Sequence, residues 1–347
     1  MRAVRWFWTN RFAVGKLGLI GGLPDRGKGL IAAFMIGKAT RAGAWPCNEG
    51  RAILGRVLLL TAEDDIEDTI IPRLVAAGAD LDHVEIVKMV RQADADDNAK
   101  RMFSLVADLP LLRQKIDEIG HVVLIIIDPM SAYLGVGKVD SYRTTDVRGV
   151  LSPLIELANE KKAAIIGIMH FNKKTDVHNA MLRIADSLAY VAASRHCYVV
   201  IDDAENKRRL FVKAKNNLAP DTAALSYTID TMIVGQDPDT KASIAAPFVV
   251  WGTEHVNITA TEAMQAEESG VTKSGKPRNA AKNFLLEILA GGPVKVPEIE
   301  EAAKANLISI RTLKRAKADL RVDAKKVGTE GWVWELPKTR TTTTYDD

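Results

Sequence analysis

The stretch Gly22-Leu23-Pro24-Asp25-Arg26-Gly27-Lys28-Gly29-Leu30 carries the spacing G-x4-G-K between an apolar run and an amphipathic segment. At a strand-to-helix turn, that spacing aims backbone N–H groups at an anion and adds the positive end of a helix dipole. Lys28 then supplies a point charge to β and γ phosphates. A glycine-rich turn without a ligand has the same composition, so the residues around it must decide between the two. The last position departs from the usual motif, in which a Ser or Thr hydroxyl ligates Mg²⁺, because Gly29 has no side chain. Either water or another residue completes the metal shell, or nucleotide affinity and turnover fall.

Three more residues stand where apolar runs end. Asp128 closes Val122-Val-Leu-Ile-Ile-Ile-Asp128, the place of a carboxylate that holds Mg²⁺ through its water shell, although an Asp before Pro129 also suits a turn. Glu63, in Thr61-Ala-Glu-Asp-Asp65, follows another run and would sit beside Asp128. It is the candidate general base for an attacking water, with Asp64 or Asp65 as a possible helix cap. His170 closes Ala164-Ile-Ile-Gly-Ile-Met-His170 and is either a sensor of the γ-phosphate or a structural histidine.

These positions converge only if the runs are parallel strands ending at one sheet edge, where open α/β sheets bind ligands. Residues 16–21, 56–61, 122–128, 164–170 and 196–201 are continuously apolar rather than alternating, as a sheet covered on both faces requires. Helical candidates at 28–41, 66–77, 110–119, 143–160 and 181–192 separate them. The alternation predicts an α/β fold with a doubly wound, mostly parallel sheet. Adjacent runs at 209–215 and 224–230 predict antiparallel strands at the sheet edge.

Composition narrows the class. The 347 residues are 47% hydrophobic and 26% charged, a globular balance that argues against a disordered, collagenous or coiled-coil chain. Cys47 and Cys197 are too few for a disulfide framework and lack zinc spacing, which predicts a reducing, cytoplasmic setting. No apolar run approaches the roughly 18 residues that span a bilayer, and no export signal is predicted at the N-terminus.

Charge is unevenly spread. Residues 273–338 hold 14 Lys and Arg against 8 Asp and Glu, although the whole chain is only +3. A slightly acidic body joined to a basic module suits one part for a small ligand and the other for an anionic polymer, unless the lysines serve only solubility. The module reads as three helices with a short turn, 306–309, before the third, which Ser309 can cap. Residues 322–336 add a hairpin, so the whole predicts a winged helix-turn-helix. Arg311, Lys314 and Arg315 share one helical face and Lys317 follows them, a pattern suited to duplex DNA in the major groove. Leu313 and Leu320 are expected to face the core, along with one of Trp332 and Trp334. The predicted organisation is an ATPase domain over 1–235, an extension and linker over 236–277, the winged helix over 278–338, and a disordered tail over 339–347.

Six separated motifs now stand in order: Trp6-Phe-Trp8 before Gly15-Lys-Leu17, the glycine loop, Leu60-Thr-Ala-Glu-Asp-Asp65, Asp128-Pro-Met-Ser-Ala-Tyr-Leu134, Asp140-Ser-Tyr-Arg-Thr-Thr-Asp-Val-Arg148 and Lys213-Ala-Lys-Asn-Asn-Leu-Ala-Pro220. Over residues 5 to 232 the chain resembles RecA-like P-loop ATPases of the RepA plasmid-helicase type, found in plasmids, phages and integrated elements. The resemblance implies ATP and Mg²⁺ as cofactors and a homo-oligomer, usually a hexameric ring, with ATP between subunits. It implies that Lys28 binds phosphate, Asp128 serves Mg²⁺ and Glu63 activates water. It further implies that His170 relays nucleotide state to single-stranded DNA at Asn172-Lys173-Lys174. Lys213 and Lys215 would act in trans, with Arg183 and Arg195 as competing candidates. Lys215 stands where such rings carry Arg, and a lysine lacks the planar fork that stabilises spread transition-state charge. Two further readings stay open: a nucleotide-gated DNA-binding regulator or loader with weak or no hydrolysis, and a scaffold that retains the fold alone.

Overall fold

The computed structural model describes residues 1–87, 89–91, 100–134, 144–171, 183, 188–220, 222–272, 276–289, 291–306, 308–320, 322–326 and 332–336. The chain divides into two compact units, Met1–Glu267 and Glu268–Asp347.

In the first unit, β1 (Trp6–Trp8) and β2 (Phe12–Ala13) form a small antiparallel ribbon before β3 (Leu17–Gly22) and α1 (Lys28–Arg41). Then come β4 (Arg56–Thr61), α2 (Ile71–Ala76), β5 (Val84–Val87), β6 (Met89–Arg91), β7 (Lys100–Met102), α3 (Leu109–Ile119) and β8 (Val122–Asp128). They are followed by α4 (Thr144–Lys161), β9 (Ala164–His170), α5 (Leu188–Ala193), β10 (His196–Asp203), β11 (Arg208–Asn216), β12 (Ala224–Gln236), β13 (Ser243–Val256) and α6 (Ala260–Thr272), a helix that runs past the end of the unit at Glu267.

The main sheet has nine strands in the order β13-β12-β11-β10-β3-β9-β8-β4-β5. From β10 to β5 all neighbours are parallel; β11, β12 and β13 extend the sheet antiparallel. This is the mixed α/β, mostly parallel architecture expected for a RecA-like fold. The parallel strands are apolar throughout because both faces are covered. One face packs β-branched and Leu side chains against α3, α4 and α5, with Leu112, Leu151, Leu154 and Leu157 in the layer. The other packs α1 and an aromatic cluster, in which Trp8 stacks on Trp45 with centroids 4.5 Å apart. None of the described helices is long and apolar enough to cross a membrane.

Two expectations need correction, and a third lies partly outside the described residues. The predicted helix at 66–77 begins as a π-turn, Ile66–Ile70, capped by Asp65, whose Oδ1 accepts from Glu67 N at 2.8 Å; the α-helix starts only at Ile71, with Pro72 in its first turn. Of the predicted helix at 181–192, only Arg183 and the residues from Leu188 are described. The stretch 236–277 is more than an extension and linker, since it contains β13, which pairs with β12 along most of its length, and α6. Pro247 and Gly252 break the apolar pattern of β13. An outer strand tolerates that proline because its missing N–H leaves no ladder partner on the far side.

The second unit contains α7 (Lys276–Ile288), β14 (Val294–Lys295), α8 (Val296–Ala305), α9 (Ile310–Asp319), β15 (Asp323–Lys326) and β16 (Trp332–Glu335). Its strands pair antiparallel in the order β14-β16-β15. Ala281, Leu285, Ile299, Leu313, Ala316 and Trp334 fill the core of this unit. Ser309 caps α9, its hydroxyl accepting from Thr312 N at 3.2 Å.

Candidate active site

The carboxyl ends of β3, β4, β8 and β9 meet at one edge, and the four sequence-derived groups stand there because each ends or follows one of those strands. Between β3 and α1 the chain makes its turn with Gly27 at φ +85°, a conformation that suits glycine. Gly27 O accepts the first helical bond from Ile31 N at 3.0 Å, which leaves the N–H groups at the start of α1 facing outward. Lys28 folds back over the loop and donates from Nζ to Leu23 O at 2.7 Å. β12 braces the loop from the other side, as the Tyr227 hydroxyl donates to Arg26 O at 2.6 Å.

A cavity of about 450 Å³ opens at this edge, within the range of small-molecule sites. Its wall includes Pro24, Asp25, Gly27, Lys28, Gly29 and Leu30 from the loop, Glu63 and Asp64 after β4, Arg73 on α2, Asp128, His170, and Ile229 and Pro247 from β12 and β13. Lys28, Glu63, Asp128 and His170 therefore surround one volume. Glu63 and His170 are both substantially exposed and face each other, with Oε2 and Nε2 3.7 Å apart.

Burial sets the electrostatics. It lowers the Lys28 ammonium to a pKa of about 8, against the raising effect of Asp128, Glu63 and Asp25. Burial, reinforced by the charge of Glu63, pushes the Asp128 carboxyl up to about 6, while Lys28 and Arg73 pull it down. Cation and carboxylate are thus both charged near neutral pH but held away from water, a state that a polyphosphate and a divalent cation would relieve.

Gly29 leaves an opening. A Cβ built on it would stand 3.5 Å from Asp128 Oδ2 and 4.0 Å from Arg73 Nη1. The hydroxyl that the motif normally places there would have met the Asp128 carboxylate. Among the described residues no group of three or more His, Cys, Asp or Glu side chains is placed to hold a metal ion. Asp128 alone offers a hard oxygen donor at the base of the cavity, with the charges of Glu63 and Asp64 bearing on it.

Other predicted residues lie elsewhere. Lys215 and Lys213 pair with Cys197 and Tyr198 in the first half of β10, level with Leu19 and Ile20 of β3, and neither is among the residues that line the cavity. Lys215 Nζ donates to Val191 O at 2.6 Å and Ser194 O at 2.8 Å, closing the end of α5 in its own chain. Within one subunit, therefore, the lysine pair takes no part in the cavity. Arg183 is buried with its guanidinium 5.1 Å from the Phe171 ring, and Arg195 is exposed beside β3. Lys173 and Lys174 lie outside the described residues.

In the second unit, Arg311, Lys314, Arg315 and Lys317 all fall on α9. Lys314 is exposed. Lys317 Nζ sits 4.9 Å over the Trp334 ring. Trp334 is the core tryptophan and Trp332 is exposed, while Leu313 is buried and Leu320 packs at the core's margin. The Gly328–Gly331 turn lies outside the described residues.

Sequence reasoning missed Arg73, Ile229 and Pro247. For Arg73 a signal existed, since a helix entering from the acidic Glu63-Asp64-Asp65 turn returns a side chain to the same edge. Ile229 and Pro247 reach the cavity only through the antiparallel extension, which no local pattern announces.

A family model described as an AAA domain, AAA_25, matches residues 1–176, about half of the chain. No curated protein matches the sequence.

Proposed function

We propose, from the premise that the chain belongs to the AAA_25 family of AAA domains and is a RecA-like P-loop ATPase, that it hydrolyses ATP to act on DNA as a helicase or helicase-like protein in the replication of a plasmid, phage or integrated element. The observation that carries this reading is the convergence of Lys28, Glu63, Asp128 and His170 on one cavity. ATP and Mg²⁺ are the cofactors that AAA ATPases generally use; the loop and Lys28 suit the phosphates, and Asp128 offers one oxygen donor to the ion.

The geometry supports a role for each residue. Backbone N–H groups at the start of α1 and the Lys28 ammonium hold the phosphates; with nucleotide bound, Lys28 exchanges Leu23 O for a phosphate oxygen. Asp128 would hold Mg²⁺ through water, and that ion would supply neutralisation of phosphate charge. Glu63, exposed at the mouth, takes the proton of the attacking water. His170, against Glu63, reports whether the γ-phosphate is present and passes that state to the segment holding Lys173 and Lys174, where single-stranded DNA binds.

The reading includes a homo-oligomeric, hexameric ring of the RepA type, in which Lys213 and Lys215 reach a neighbour's nucleotide. It also takes the second unit as a winged helix-turn-helix for duplex DNA, with α9 as the reading helix and Lys314 presented to the phosphates. Its support is the order of elements and the positive excess of residues 273–338.

A second reading, a nucleotide-gated DNA-binding regulator or loader with weak hydrolysis, is favoured by Gly29 and by the engagement of Lys215 within its own subunit. Phosphate release with and without single-stranded and duplex DNA separates the two. DNA-stimulated turnover supports the motor, whereas nucleotide-dependent duplex affinity without turnover supports the switch.

A further inference from the structure

Arg73 occupies ground that the glycine motif normally leaves to a hydroxyl and its metal ion. A Cβ at position 29 would lie 3.5 Å from Asp128 Oδ2 and 4.0 Å from Arg73 Nη1, so carboxylate and guanidinium flank the same point. From a serine or threonine at that point, a hydroxyl oxygen and an Mg²⁺ at about 2.1 Å from it would extend into this space. Gly29 supplies no ligand there, and a fixed cation stands beside it instead. Arg73 is held in place by its ion pair with Asp64, Nη1 to Oδ2 at 2.5 Å, and it lies in the cavity wall with Lys28. A guanidinium cannot lose its proton and presents a fork that matches two phosphate oxygens.

We propose that Arg73 is a phosphate-binding residue that supplies, from within the same subunit, part of the positive charge that Mg²⁺ supplies elsewhere. Nucleotide binding by this chain is in consequence only weakly dependent on Mg²⁺. The inference rests on the nucleotide-site reading above and deepens it. Arg73 would repel a divalent ion held beside Asp128. The Asp64 carboxylate is the resting partner from which the guanidinium turns to phosphate when nucleotide arrives. Asp128 faces both arrangements and balances either cation.

The test is equilibrium binding of a fluorescent ADP to the full chain, in Mg²⁺ and in EDTA, with wild type, Arg73→Gln, Arg73→Lys and Gly29→Ser. A charge-assisted hydrogen bond corresponds to roughly 10- to 100-fold in affinity, which sets the scale. Wild-type affinity is expected to fall less than about threefold in EDTA, and that of Arg73→Gln more than about tenfold, with Arg73→Lys intermediate. Gly29→Ser restores a metal ligand and should raise the ratio of Mg²⁺ to EDTA affinity by about fivefold or more, independently of any folding defect at position 73. Arg73→Gln binding like wild type in EDTA, or wild type itself losing more than about tenfold there, overturns the inference while leaving the nucleotide site intact. Wild type binding in neither buffer overturns the nucleotide site and this inference together.

Discussion

His170 Nε2 and Glu63 Oε2 stand 3.7 Å apart at the mouth of the cavity, although their strands, β9 and β4, are separated in the sheet by β8. The contact ties the proposed base to the residue proposed to report the γ-phosphate. The register accounts for it: Thr61 pairs with Asp128 and Ile127 with Gly167, so Glu63 and His170 each lie two residues beyond the level at which β8 ends.

Glu63→Gln keeps the size and removes the basic oxygen. Turnover should fall by about 10²-fold or more, while nucleotide affinity stays within roughly threefold, since the proposed partner of Glu63 is the attacking water rather than the phosphate. Phosphate release alongside equilibrium binding of labelled nucleotide checks the split. Equal losses in both would place Glu63 in binding.

The pH dependence of the site follows from two groups with opposite signs. Asp128, raised to about 6, is protonated below that pH, so its contribution to Mg²⁺ binding is gained as pH rises through 6. Lys28, lowered to about 8, is charged only below that pH, so its contribution to phosphate binding is lost as pH rises through 8. Turnover measured in Mg²⁺ should therefore peak between the two, whereas nucleotide affinity measured in EDTA should show the basic limb alone.

Lys215→Ala should destabilise the first unit by about 1–2 kcal/mol, because the carbonyls of Val191 and Ser194 lose their donor. For a unit of this size that corresponds to a melting point lower by roughly 2–8 °C, read by thermal melting without nucleotide. An unchanged melting point would show that the lysine is available for another partner.

On α9, two lysines should behave differently. Lys314→Ala should weaken duplex DNA binding and reduce the slope of log affinity against log salt by about 1, as expected for one phosphate contact. Lys317→Ala, removing a cation from the Trp334 ring, should reduce stability by about 0.5–1 kcal/mol and change the salt slope less. Salt titrations of fluorescent duplex binding separate the two effects.

The parts legible in the sequence were those whose physics is local or periodic. Helix α1 runs from Lys28 to Arg41 as predicted, and the strands ending in Asp128 and His170 match to the residue, because apolar β-branched runs bounded by charge allow few registers. Tertiary relationships were hidden. β13 carries Pro247 and Gly252 and gains its order from pairing with β12. The hydrogen bonds of Lys215 to the end of α5 join segments more than 20 residues apart, which no local pattern reveals. Arg73 mattered only once Gly29 and Asp128 were seen to share its volume.

The central claim is that Lys28, Glu63 and Asp128 form one ATP-hydrolysing site. Steady-state ATP hydrolysis, with and without single-stranded DNA, on wild type, Lys28→Ala and Glu63→Gln tests it most directly. The account predicts turnover that rises with single-stranded DNA and vanishes in both variants. Turnover that persists in both would contradict it, because the hydrolysis would then come from somewhere other than this cavity.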